Sequence, residues 1–200
     1  MPTIKPFADF KLFKAADNAI IEKYTNVLPQ ALIDIWKEYG FGSFAKGFLK
    51  TINPDEYQEL LNETYISDCN SIPIFTTALG DILVLEDYII DNENNGYLMT
   101  IVRYGKGEAL GILPVESLDD DDFFTGVLTN SNSYKNRLFW GDYIEAVKKY
   151  GTIPEYDECY GYVTLLGLGG ERTVKNMQIV KIKEHIMLIK EMVGPVQEEN

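Results

Sequence analysis

Histidine is the residue type that most limits the chemistry open to this chain. His185 is the only histidine among 200 residues, so a catalytic triad, a histidine metal site or a histidine acid–base pair would have to use it. It follows Lys183 and Glu184 and stands beside Leu188 and Ile189, where apolar spacing predicts an amphipathic helix. We therefore predict a histidine at the surface or at the edge of the core, and no catalytic residue.

Residues 91–96 begin like a calcium-binding loop, with oxygen-bearing side chains and a glycine at the sixth position. The pattern then fails, because Glu93 occupies the third position and Val102 occupies the twelfth, where a bidentate glutamate is required. Asn95-Gly96 is instead a strong signal for a hairpin turn. We predict a turn here and no metal site.

The glycines at Gly167, Gly169 and Gly170 invite comparison with a phosphate-binding loop. Their spacing matches neither the dinucleotide-binding pattern nor the P-loop pattern, and Arg172 is not followed by a Lys-Ser or Lys-Thr pair. Glycines in this arrangement permit a tight turn or a close approach of backbone. The sequence therefore predicts no bound cofactor.

Charge gives the first indication of a binding partner. Thirty-one Asp and Glu residues against eighteen Lys and Arg residues give a net charge of -13. Such a surface repels nucleic acid, whose binding depends on cations that neutralise phosphates, and it accelerates encounter with basic proteins. Acidity also keeps a protein in solution whatever its function, so the charge alone does not decide between these interpretations.

The densest acidic clusters lie at residues 119–122 and 155–158. Two interpretations stay open for them, a solvated loop and a docking surface for a basic protein. Tyrosines interleave the second cluster and would supply the aromatic contacts that hold a partner. The candidate partner-binding residues are Asp119, Asp120, Asp121, Asp122, Glu155, Tyr156, Asp157, Glu158, Tyr160 and Tyr162.

Periodicity predicts the elements that must position these residues. Leu32, Ile35, Trp36 and Tyr39 mark one buried face of a helix between Pro29 and Gly40. A strand is predicted over 46–52, followed by a capped short helix, and consecutive strands joined by short turns predict an antiparallel meander. Those strands are expected at 72–78, 82–86, 97–104 and 108–113.

A change of composition after residue 115 predicts two parts, residues 1–115 and residues 116–200. The second part has a helix marked by Trp140, a strand over 160–166 and a last helix over 183–193, with Val193 on its apolar stripe. Trp36 and Trp140 are the predicted core anchors. The expected fold is α+β, with a mainly antiparallel sheet flanked by helices and a smaller C-terminal α/β portion packed against it.

Cysteine content and apolar runs in the sequence indicate the cellular compartment in which the protein works. Cys69 and Cys159 have no metal or redox spacing, and both a disulfide and two free thiols are compatible with the sequence; we adopt the second. No apolar run resembles a signal peptide or approaches the roughly 20 residues of a membrane helix. We expect a cytoplasmic protein that does not bind membranes.

The segment from Leu28-Pro29 to Gly42, followed by Asn53-Pro54, resembles the GAD-like domain family, and Gly80-Asp81 extends the likeness to about residue 115. The first part is also broadly similar to the SUKH immunity superfamily. The C-terminal part resembles the domain that follows GAD-like domains in immunity proteins against DNase effectors of type VI secretion. This second likeness is carried by Tyr160-Gly161-Tyr162, by the glycines after Leu166 and by the Glu184-His185 helix.

The resemblance implies a cytosolic inhibitor, with no enzymatic activity, that binds and neutralises a cognate nuclease toxin in a stoichiometric complex. The alternative is a non-catalytic binding or regulatory module with another partner. Neither the toxin, the interface nor the oligomeric state follows from the sequence.

Overall fold

The structure, a computed structural model, describes residues 9–89, 95–115 and 138–198. Its centre is a sheet of seven strands in the order β1-β2-β3-β5-β6-β7-β8, in which every neighbouring pair is antiparallel. The strands of this sheet are β1 Lys11–Lys14, β2 Phe41–Phe44, β3 Leu49–Thr51, β5 Ser71–Thr77, β6 Ile82–Ile89, β7 Asn95–Arg103 and β8 Glu108–Val115. A short parallel pair joins β4, Tyr65–Ile66, to β11, Val196–Gln197.

The central strands are buried on both faces, which explains their nearly continuous apolar sequence. In β6, Leu83 and Leu85 enter one hydrophobic core, whereas Ile82 and Val84 enter a second core on the opposite face. The β5–β6 hairpin turns at Gly80, whose φ of +82° favours glycine. The predicted meander of β5 to β8 is confirmed, and the predicted turn and calcium-like segment at 91–96 falls largely outside the described residues.

Five helices of the described residues cover the two faces of the sheet. They are α1 Asn18–Tyr24, α2 Gln30–Tyr39, α3 Gln58–Thr64, α4 Trp140–Tyr150 and α5 Ile182–Val193. Leu32 and Trp36 of α2 pack in the first core, while Leu61 of α3 and Ile186 of α5 pack in the second. Within the part of the chain that the structure describes, each helix is too short or too polar to cross a membrane.

The C-terminal portion packs against one end of the sheet, where the turns at 45–48, 78–81 and 104–107 lie. Its hairpin consists of β9, Glu158–Tyr162, and β10, Met177–Lys181. The Tyr160 backbone N–H donates to Ala78 O at 2.8 Å, and the Tyr143 hydroxyl of α4 donates to Lys46 O at 2.5 Å. The predicted α+β architecture, with a smaller C-terminal α/β portion, is therefore confirmed.

Some local predictions were wrong, and each has a physical reason. The strand expected over 46–52 begins only at Leu49, because Ala45, Lys46 and Gly47 all adopt positive φ in a turn. Val193 is 46% exposed rather than part of the apolar stripe. Trp36 is buried as predicted, but Trp140 is only partly buried and packs edge to face against Phe48, with ring centroids 5.0 Å apart.

Candidate partner-binding surface

The segment that leads into β9 carries the predicted acidic and aromatic residues. Glu155 and Asp157 are exposed, and Tyr156 is half-buried between them. The Tyr156 ring stacks flat on Phe13 of the edge strand β1, with centroids 4.1 Å apart and an interplanar angle of 10°. Its hydroxyl donates to Thr51 O at 2.8 Å, so the ring is fixed in position.

This packing leaves the Phe13–Tyr156 ring pair at the surface, with carboxylates nearby. Phe13 is 60% exposed. Burial raises the pKa of Tyr156, and the neighbouring Tyr57 and Glu56 raise it further. Glu56 Oε1 lies 3.5 Å from Nζ of Lys14, the residue that follows Phe13 in β1. We call Phe13, Glu56, Glu155, Tyr156 and Asp157 the Phe13–Tyr156 surface. The sequence did not indicate Phe13, because all four residues of β1 are exposed and show no alternation.

The acidic cluster is partly neutralised from β10. Lys181 Nζ lies 2.8 Å from Asp157 Oδ2 and 3.2 Å from Glu158 Oε1. The hydrogen bond from Lys181 holds the pKa of Asp157 below its ordinary value. Within the described residues Glu155 makes no ion pair, so its carboxylate is the one most available to a partner.

Lys50 of β3 makes hydrogen bonds from the protein interior to the main chain of the same segment. Its side chain is completely buried, and Nζ donates to Glu155 O at 2.8 Å and also to Glu158 O. Burial lowers the pKa of Lys50 to about 8, although nearby Asp157, Glu158 and Glu155 act in the opposite direction. Lys50 therefore fixes the backbone on which the exposed carboxylates stand.

Two of the predicted contact residues, Tyr160 and Tyr162, do not join this surface. Tyr160 is 1% exposed and its hydroxyl donates to Thr152 O, so a partner would have to open the core to reach it. Tyr162 lies in a separate cleft beside Phe139. Asp119, Asp120, Asp121 and Asp122 lie outside the described residues.

That second cleft contains a cluster of cations which sequence reasoning missed. Arg103, Lys106 and Arg172 place their charged groups 4.2, 3.5 and 4.6 Å from the centroid of the Phe139 ring. Glu108 lies 2.9 Å from Arg103 and Asp142 lies 2.9 Å from Arg172, so these cations are compensated. We define the Phe139 cluster as these six residues: Phe139, Arg103, Lys106, Arg172, Glu108 and Asp142.

Burial favours the neutral form of the histidine and of both cysteines. His185 is 8% exposed, and burial lowers its pKa. Cys69 and Cys159 are both free thiols, and burial raises the pKa of Cys159 to about 12. Among the residues that the structure describes, no group of three or more His, Cys, Asp and Glu side chains could hold a metal ion.

Comparison with protein families agrees with the resemblance seen in the sequence. The model of the GAD-like domain matches residues 4–92. The model described as T6SS immunity protein Tdi1, C-terminal, matches residues 119–193. The two families predicted from the sequence, and their order along the chain, are therefore confirmed.

The fold also occurs in a solved protein. The crystal structure of Atu4351 from Agrobacterium tumefaciens superposes with a TM-score of 0.63 at 20% sequence identity. The match covers 96% of this chain and 89% of that chain, and at this identity it shows a shared fold. No protein of curated function matches the sequence.

Proposed function

We propose that this chain, in which a GAD-like domain precedes a Tdi1-type C-terminal domain, is an immunity protein that neutralises a toxin by stoichiometric binding in the cytoplasm. The observation that carries the proposal is the match of residues 119–193 to the C-terminal domain of a type VI secretion immunity protein. The buried His185 and the thiols, whose pKa values are raised by burial, support inhibition by binding rather than by catalysis.

The proposed partner is a basic protein, a nuclease toxin. The net charge of -13 supports this choice, because an enzyme that binds nucleic acid needs cations that an acidic surface attracts. The division into residues 1–115 and 116–200 belongs to the same proposal, since each part would carry its own family's domain.

The Phe13–Tyr156 surface is the proposed site of contact within the described residues. Its exposed aromatic ring supplies apolar area that a partner would bury, and its carboxylates supply charge at the rim. Rim charges mainly accelerate association, whereas the aromatic centre slows dissociation. Raising the salt concentration should therefore lower the association rate more than it raises the dissociation rate.

The function is tested by searching the neighbouring genes for a secreted nuclease and co-expressing that nuclease with the chain. We expect restored growth, loss of DNA cleavage in vitro, and a complex of fixed stoichiometry by size-exclusion chromatography with light scattering. If the two proteins do not associate at any salt concentration, the immunity assignment for that toxin is wrong. A non-catalytic module with another partner would then be the better description.

The surface is tested by Phe13→Ala, with Leu168→Ala as the matched control because Leu168 is also highly exposed, at 54%. We expect Phe13→Ala to weaken toxin binding by about tenfold or more through faster dissociation, a typical size for a central contact. The control should bind as the unchanged protein does. Equal affinities for both variants would remove Phe13 from the interface.

The carboxylates need separate variants. Glu155→Gln with Asp157→Asn should slow association at low salt, and Glu191→Gln, an exposed carboxylate of α5, serves as the control. Changing Asp119, Asp120, Asp121 and Asp122 to Asn tests the other acidic cluster in the same assay. Unchanged association would exclude the cluster concerned from the interface.

A further inference from the structure

A polar cavity of about 370 Å³ lies between the end of α3, the strand β4 and the start of β5. The side chains around it are mostly amides and hydroxyls rather than apolar groups. The polar lining residues used below are Gln58, Asn62, Tyr65, Ser67, Cys69 and Ser71.

The hydroxyl hydrogens around the cavity are all directed at carboxylates behind its wall. Ser71 Oγ donates to Glu86 Oε1 at 2.7 Å, and the Tyr65 hydroxyl donates to the same oxygen at 3.0 Å. Ser67 Oγ donates to Glu198 Oε2 at 3.0 Å. A hydroxyl whose hydrogen is already used can offer only lone pairs to a ligand. These three hydroxyls therefore present acceptors to the cavity.

Glu86 places negative charge directly behind this wall. Its side chain is 1% exposed, and among the described residues Glu86 Oε2 has no hydrogen-bond partner. A buried carboxylate without full compensation is unfavourable and is relieved by a nearby cation. The cavity therefore offers hydrogen-bond acceptors in a negative electrostatic field.

The thiol that lines the cavity responds to the same field. Burial raises the pKa of Cys69, and the carboxylates of Glu198, Glu86 and Asp87 raise it further, although a hydrogen bond with Ser67 acts in the opposite direction. Two carboxylates of β6 and one that follows β11 therefore act on the same thiol.

We propose that this cavity binds the guanidinium group of an arginine side chain contributed by the basic partner. A guanidinium is permanently charged and carries five N–H donors in one plane, which suits several acceptors that surround an open space better than an ammonium does. The proposal that the arginine belongs to the partner rests on the proposed function. The preference of the cavity for a guanidinium group does not depend on that function.

The position of the cavity supports a partner as the source. Glu56 of the Phe13–Tyr156 surface lies just before α3, and the cavity lies along this seven-residue helix, whose first residue, Gln58, already lines it. Seven helical residues span about 10 Å, so one protein partner can cover both sites. A partner seated on the aromatic contact would thus bring its basic side chains to the cavity.

The cavity is tested with small probes by NMR titration of the full chain. N-acetyl-arginine methylamide should give saturable shifts at residues 58–71, and the neutral isostere N-acetyl-citrulline methylamide should give none at equal concentration. Glu86→Gln keeps an acceptor for Tyr65 and Ser71 but removes the charge, and it should weaken the arginine probe by about tenfold. The exposed Glu59→Gln variant should bind as the unchanged protein does.

A second variant keeps the test valid if Glu86→Gln does not fold. Glu198→Gln removes the charge behind Ser67 near the C-terminal end and should also weaken the arginine probe. Equal binding of the citrulline and arginine probes, or unchanged binding in the variant that folds, would overturn the proposal.

The toxin assay separates this site from the proposed function. We expect Glu86→Gln to weaken toxin binding by about tenfold while the complex still forms. Unchanged toxin affinity in that variant would overturn the partner as the source of the arginine and leave the immunity function standing. If the unchanged protein binds no toxin, the immunity function fails, and the two probes still decide whether the cavity selects guanidinium.

Discussion

Two buried ionisable groups, Lys50 and Asp81, lie where the C-terminal portion meets the sheet, and their surroundings differ. Lys50 donates to two main-chain carbonyls of the segment that leads into β9, those of Glu155 and Glu158. The Asp81 carboxylate accepts a hydrogen bond from Thr77 Oγ1 at 3.3 Å and lies in the field of Arg103. Burial lowers the pKa of Lys50 to about 8 and raises the pKa of Asp81 to about 7. Each group is thus displaced toward its neutral form.

The comparison separates two ways in which a charged residue joins parts of a protein. Lys50 links β3 to a segment distant in sequence by donating hydrogen bonds to two of its main-chain carbonyls. Replacing Lys50 with a residue that has no donor leaves these carbonyls without this hydrogen-bond partner. Asp81 stays within its own hairpin, where the Thr77 hydroxyl also accepts from the Asp81 backbone N–H. Losing Lys50 should therefore loosen the C-terminal portion, while losing the charge of Asp81 should alter mainly the pH dependence of stability.

The largest expected effect is that of Lys50→Ala. The substitution removes two hydrogen bonds and leaves a cavity in a buried site, and such changes lower the free energy of unfolding by about 3–5 kcal/mol. Urea unfolding followed by circular dichroism measures the loss. Lys50→Met keeps most of the volume without the charge and should lose less, about 1–3 kcal/mol, because no buried cation remains to be compensated. Equal losses would show that the hydrogen bonds, which both variants lack, make this contact and that packing adds little to it.

Asp81→Asn should change the slope of stability against pH. A pKa raised from 3.8 to about 7 means that the folded state holds its proton longer than the unfolded state does. The stability from this group is present below pH 3.8 and is lost as the pH rises through about 7. The unchanged protein should therefore lose on the order of 3–4 kcal/mol relative to Asp81→Asn over that range. Urea unfolding at a series of pH values gives this difference, and the exposed Asp68→Asn variant should run parallel to the unchanged protein.

Lys50 should show the opposite direction at higher pH. Its pKa is lowered from 10.5 to about 8, so the unfolded state binds more protons between these values. Stability from this group is present above pH 10.5 and is lost as the pH falls through about 8. The unchanged protein should gain on the order of 2–3 kcal/mol relative to Lys50→Met as the pH rises over that range. Comparing the two proteins cancels the tyrosines, while Cys159, whose pKa Lys50 lowers, contributes to the difference. A flat difference would contradict a buried charged lysine.

The elements with local signals could be predicted, and the contacts between distant residues could not. The α2 helix followed from the spacing of Leu32 and Trp36, and the meander of β5 to β8 followed from apolar runs separated by glycine turns. By contrast, β1 has four exposed residues, so neither its strand nor the stacking of Phe13 on Tyr156 leaves a periodic pattern. A strand such as β1, which is defined only by its hydrogen bonds to a neighbouring strand, has no periodic apolar pattern in the sequence.

The candidate site was only partly predictable for a related reason. Carboxylates at Glu155 and Asp157 are visible as a charge cluster, and the structure does expose them. The role of Lys50 leaves no trace in the sequence, because its acceptors are main-chain carbonyls, which every residue has. Tyr160 was a candidate contact because it follows the acids, but strand alternation in β9 turns it into the core.

The smallest expected effect is at the Phe139 cluster, where the groups are partly exposed. Arg172 and Asp142 form an ion pair at 2.9 Å with side chains 45% and 36% exposed, and such pairs contribute about 0–1 kcal/mol. Arg172→Gln should therefore lower the free energy of unfolding by less than about 1 kcal/mol, part of it from the lost contact with Phe139. A double-mutant cycle with Asp142→Asn separates the ion pair from the ring contact, since only the ion pair gives a coupling energy. That coupling should shrink as salt rises. A loss as large as that of Lys50→Ala would mean that Arg172, rather than the buried lysine, holds the C-terminal portion on the sheet.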